Sequence, residues 1–190
     1  MNVILRNLLI LLALAFPFAR ALADDYSDTI GVFRKAGESG QFFNKCYGYA
    51  VFPTIGKGGI GVGGAYGTGR VYANGVYAGY TSMTQVTVGF QLGGQAYSQI
   101  IFFENKRAFD EFTSGNFEFG VQATAVAITA GASAQAGTTG TSAGASGTQH
   151  SAKTAAAHYN KGMAVFTVAK GGLMYEASIG GQKFSYKRKQ

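Results

Sequence analysis

The chain has 190 residues and a formal net charge of +7, with 29 glycines, many Tyr and Phe, and no Trp. Glycine and aromatics with so little charge point to strands, tight turns and close backbone approach, and away from helical bundles. The single cysteine, Cys46, cannot staple its own chain and reads as a small buried apolar residue.

Residues 1–23 have the form of a secretory signal. Arg6 gives a positive start, Leu8 to Phe18 is an uncharged apolar run, and Ala21-Leu22-Ala23 is a small-x-small cleavage pattern. Arg6 and Arg20 would leave with it, taking the charge from +7 to +5 and leaving one domain over 24–190. Asp24, not cysteine, stands at the cleavage point, so no lipid anchor is expected there. Elsewhere no apolar run is long enough for a transmembrane helix. An exported, mildly basic domain meets anionic lipid head groups sooner than nucleic acid.

Residues 25–35 predict a short helix with Tyr26, Ile30 and Phe33 on one face, ended by Gly37 and Gly40. Tyr47 to Ile55 reads as a buried strand, with Pro53 marking an edge or a bend. Glycines then punctuate a β-like segment over 56–75, as at bulges or close backbone approach, and Asn74-Gly75 is a hairpin turn. Gln85 to Leu92 alternates, with Val86, Val88, Phe90 and Leu92 on one face and Gln85, Thr87 and Gln91 on the other. Gly93-Gly94 turns into a strand at AYSQIIFFE.

Residues 105–114 predict a helix with Asn105 as N-cap, an apolar side of Ala108, Phe109 and Phe112, and a stop at Gly115. ATAVAITAG reads as a strand. Residues 131–149 lack large apolar side chains and read as a long loop. Residues 162–187 give two or three more antiparallel strands around Gly171-Gly172. The expected fold is a single α+β domain dominated by antiparallel strands with a few short helices.

Catalytic and cofactor motifs are weak. Gly56, Gly58 and Gly61 satisfy G-x-G-x-x-G after a strand, but glycine and a β-pattern follow where a dinucleotide site needs a helix. Lys57 is followed by glycine, which breaks the phosphate-loop pattern. His150 and His158 have no nucleophile pointing to them, Asp110 and Glu111 diverge on their helix, and no ligand cluster has metal spacing. No enzyme activity, cofactor or metal is expected. The basic positions Lys57, Arg70, Lys161, Lys170 and the tail Lys187-Arg188-Lys189 lie beside glycine turns or at the terminus. They read either as solubilising charge or as head-group contacts, with turn N–H groups adding donors. Tyr66 and Tyr72, nearby, read most simply as core, with interfacial contact as the alternative.

The segments Val51-Phe52-Pro53 with Lys57-Gly58-Gly59, Gly61 to Gly69, Gly89 to Gln95, and Lys170 to Leu173 with Ser178 and Gly181 together resemble the SYLF domain, also called the Ysc84 actin-binding domain. Their order and spacing match over about residues 40–187. The resemblance implies a lipid-binding domain. Eukaryotic relatives are linked to phosphoinositides and actin, and bacterial relatives are exported and called lipid-binding. An exported chain does not meet actin, so that activity is not carried over. The expectation is an exported, periplasmic or secreted, non-enzymatic module. It would contact anionic phospholipid through Lys57, Arg70 and Lys170, assisted by Lys187, Arg188 and Lys189. The alternative is a structural envelope protein, such as a small outer-membrane β-barrel or surface component.

Overall fold

The computed structural model describes residues 17–60, 62–88, 94–121, 123, 125–128, 158–170 and 179–190. The loop read at 131–149, and most of the signal and of the Gly89–Gln95 and 171–178 motifs, lie outside them. Helix α1 spans Pro17–Lys35, longer than the helix read at 25–35. A short turn of helix, α2 (Gly37–Gly40), and a 3-10 turn (Gln41–Asn44) follow it.

Three long strands come next: β1 (Gly48–Ile60), β2 (Val62–Ala73) and β3 (Val76–Val88). They form a meander. Asn74 and Gly75 link β2 to β3 with φ of 49° and 78°, the positive values that a two-residue hairpin turn requires. Then come β4 (Gln95–Phe103), α3 (Lys106–Phe112), β5 (Phe117–Glu118), β6 (Val126–Ile128), β7 (Met163–Lys170) and β8 (Lys183–Arg188). Asn105 caps α3 as read, its Oδ1 accepting from the Ala108 N–H at 3.1 Å. The described strands form one sheet ordered β5-β8-β3-β2-β1-β4-β7-β6. Each described pair is antiparallel except β6 on β7. The α+β, strand-dominated fold class is the one observed.

The sheet curls. Phe52 on β1 and Phe184 on β8 are three strand steps apart in the order, yet their rings lie 5.7 Å apart. The small residues of β2 permit this. A Cβ on Gly69 would lie 2.7 Å from the Phe52 ring, and one on Gly67 would lie 2.6 Å from Ile55. The concave face therefore takes large rings from β1 against bare backbone on β2. Phe103, Phe112, Met163, Val165 and Phe184 complete this core, and α3 packs into it.

The convex face carries a second core. Phe33 is fully buried there, with Tyr26 and Ile30 packed beside it, as their shared helical face predicts. Phe42 of the 3-10 turn meets Phe102 and Phe166 at 5.5 and 5.1 Å. In a bilayer-spanning barrel this outer face would meet lipid all round. Here α1 and the 3-10 turn cover its β1–β4–β7 part.

Pro53 lies in the central strand, not at an edge. Val51 pairs with Arg70 and Ile55 with Gly67, so β1 holds one extra residue there. The same offset recurs against β4 between Phe52 and Ile55. A bulge is where a residue without an N–H can sit inside a sheet. Ser98 Oγ donates to the Pro53 carbonyl at 2.7 Å and fixes it.

The alternation read at Gln85–Leu92 begins at the end of β3, which is described as far as Val88, and there Gln85 is the residue turned inward. Gln85 is buried and donates from Nε2 to the Gly180 carbonyl at 2.9 Å, whereas Val86 is 76% exposed. The inside of the curl is polar at this level, so the apolar residue is the one turned out.

Candidate functional site

Register decides where the basic residues go. Lys57 pairs with Gln95, while Lys170 pairs with Ala96. Neighbouring residues of a strand point to opposite faces, so Lys57 shares the concave side with Ile55 and Tyr97, and Lys170 stands on the convex side. The sequence reading joined them; the sheet separates them. The bulge at Pro53 is the cause, because without it Lys57 would share the convex face of Val51.

The reading of Lys57 and Arg70 as lying beside glycine turns is also corrected, while the glycines after Lys170 lie outside the described residues. Lys57 is inside β1 and Arg70 inside β2. Their glycine neighbours are ladder residues, such as Gly56 opposite Tyr66 and Gly69 opposite Thr81. Lys170 is the last residue of β7; it is exposed, and its Nζ donates to Thr54 Oγ1 at 2.8 Å.

Arg70 is a half-buried structural cation. Its guanidinium carbon lies 4.2 Å from the ring centre of Tyr26 on α1 and 5.6 Å from that of Tyr77 on β3. Such contacts contribute about 0.5–2 kcal/mol and here tie α1 to the sheet. Burial raises the Tyr26 phenol above its ordinary range, with Arg70 pulling the other way. Tyr49, Tyr72, Tyr77 and Tyr80 extend the aromatic row along the convex face at 5.0, 5.9 and 5.4 Å.

Across the sheet Arg70 pairs with Tyr80, and Tyr80 with Lys187. Lys187 thus stands on the convex face, exposed, beside a Tyr80 that is 53% exposed. Arg188, opposite Gly79, alternates to the other side. Lys189 returns to the convex side with Nζ 5.4 Å from the Tyr77 ring. Of the sequence-read residues, Lys170, Lys187 and Lys189 are on the convex face, the latter two together at β8 and Lys170 five strand steps away on β7.

Sequence reasoning missed Lys183 and three exposed neighbours on the same face: Val62, Tyr80 and Val86. Tyr66, read as core, is 58% exposed. A signal for them existed. From Val62 to Tyr72 the odd positions are Gly, Ala or Val and the even ones are mostly larger. The small residues belong inside a tight curl, which sends Tyr66 out.

Among the described residues no three His, Cys, Asp or Glu side chains gather to hold a metal ion. No described helix is long and apolar enough to cross a membrane. Residues 84–190 match the family described as Ysc84, Las17-binding protein actin regulator. No curated protein matches the chain.

Proposed function

The chain belongs to the Ysc84, or SYLF, family, a lipid- and actin-binding type of domain, and on that premise we propose that it is an exported, non-enzymatic module that docks on anionic phospholipid. The observation that carries the proposal is the placement of Lys170, Lys187 and Lys189 on one convex face together with exposed Tyr66 and Tyr80. Ammonium groups take phosphate oxygens, and tyrosine rings suit the head-group layer. Each cation near an anionic surface is worth about 1 kcal/mol.

Export supports lipid over actin as the ligand, since an exported domain meets membrane surfaces. Lys57 and Arg70 leave the proposed contact. The first is on the other side of the sheet and the second is held by α1. Co-sedimentation of the purified protein with vesicles tests the proposal. Phosphatidylglycerol vesicles are expected to pull it down at low salt and phosphatidylcholine vesicles to leave it in solution. Equal pelleting with both, or with neither, contradicts it.

A further inference from the structure

One row of the convex face runs across six strands: Lys183, Thr84, Tyr66, Gly56, Ala96 and Lys170. At about 4.8 Å per strand it spans about 24 Å along the curl. Lys170 ends it on β7, Lys183 on β8 is opposite Glu118 on β5 with its Nζ 3.5 Å from that carboxylate, and an exposed tyrosine stands in the middle. The adjacent row holds Gly58, Gly64 and Val86, and Val62 follows at the start of β2. Val62 and Val86 are 64% and 76% exposed.

The glycines of these rows are not demanded by packing. A Cβ at Gly56 would meet nothing within 4 Å; at Gly58 it would meet only the Gly94 Cα at 4.0 Å, and at Gly64 only the Gln85 carbonyl at 3.5 Å. None of the three has a positive φ. Gly67 and Gly69, by contrast, face Ile55 and Phe52 at under 3 Å. Glycine weakens a strand, so three that packing does not need suggest that something approaches the bare backbone from outside. Val62, Tyr66 and Val86 stand proud around that low floor.

We propose that this trough enters the membrane interface, with Val62, Tyr66 and Val86 reaching the acyl boundary while Lys170 and Lys183 stay at the phosphates on either side. The inference rests on the lipid reading above and assigns it a face beyond the basic tail. Charge chooses the occupant. The convex face holds Lys170, Lys183, Lys187 and Lys189 against Glu118, so two copies laid face to face would bring an excess of like charge together, whereas an anionic bilayer complements it. The backbone of β1, β2 and β3 is paired in the ladder, so little unsatisfied polar surface is carried into the interface.

The chain has no tryptophan, so single reporters are clean. Tyr66→Trp and Val86→Trp variants, with Ser114→Trp beyond α3 as the control, are mixed with phosphatidylglycerol vesicles whose acyl chains are brominated. The first two are expected to show blue-shifted, quenched emission and the control neither. Variants that sediment with the vesicles but show no shift or quenching at either site overturn the inference and leave the lipid reading standing. Absence of sedimentation by parent and variants overturns both. A blue shift that grows with protein concentration alone assigns the face to a second copy and also overturns it. Val86→Asp, at an exposed position, is expected to lower vesicle affinity at high salt about tenfold; unchanged affinity counts against the inference.

Discussion

Gln99 and Gln182 exchange side-chain hydrogen bonds, at 2.9 Å in one direction and 3.2 Å in the other, and both are fully buried. Gln99 is on β4 and Gln182 immediately precedes β8, so the pair joins parts of the sheet that four strand steps separate. Gln182 Nε2 also reaches the Tyr97 hydroxyl at 3.2 Å. The pair clasps the curl. Gln182→Leu leaves the Gln99 amide unpaired and is expected to cost about 1–3 kcal/mol by urea denaturation. Gln99→Leu/Gln182→Leu is expected to cost less than the sum of the single changes, because no orphaned amide remains. Strict additivity would show that the amides do not act as a pair.

The two kinds of glycine separate in stability. Gly69→Ala puts a methyl 2.7 Å from the Phe52 ring and 2.8 Å from the Val51 carbonyl. A loss of about 1–3 kcal/mol is expected. Gly64→Ala meets only the Gln85 carbonyl at 3.5 Å. It is expected to leave the melting temperature unchanged or raise it slightly, since alanine has less unfolded-state entropy to lose.

Arg70 holds α1 through Tyr26. Arg70→Ala is expected to destabilise the protein by about 1 kcal/mol and to speed amide exchange in α1 more than in β1. Vesicle affinity is expected to change less than for Lys187→Ala. A larger loss of vesicle binding for the arginine would return it to the lipid contact.

Alkaline unfolding reports the buried phenols. Burial, with Tyr72 adding to it, pushes Tyr49 up to about 12 from an ordinary 10.0. The folded protein keeps this proton where the unfolded chain has lost it. The resulting stability is complete below pH 10 and is lost as pH rises from 10 to about 12. Urea unfolding between these pH values is expected to show the fall, and Tyr49→Phe to flatten part of it. Burial raises Tyr97 in the same direction, so a remainder persists.

Much of the fold could be read locally. Asn105 as a cap, Asn74-Gly75 as a turn and Tyr26, Ile30 and Phe33 as one helix face all depend on neighbours in sequence, and the structure has each. Faces of strands depend on register, which is not local. The extra residue at Pro53 turns Lys57 to the concave side and parts it from Lys170. Gln85 turns inward to bond the Gly180 carbonyl, 95 positions on, and leaves Val86 outside. Arg70 read as an available cation because Tyr26, 44 positions away, gives no local sign of covering it.

The most direct test of the lipid account is a salt titration of binding to phosphatidylglycerol vesicles, for the parent, Lys170→Ala/Lys187→Ala/Lys189→Ala and Lys57→Ala. The convex-face triple variant is expected to lose about tenfold or more in affinity at low salt and to show a shallower salt dependence. Lys57→Ala, changed on the concave side, is expected to follow the parent. Parent-like binding by the triple variant, or a larger loss from Lys57→Ala, would contradict the account.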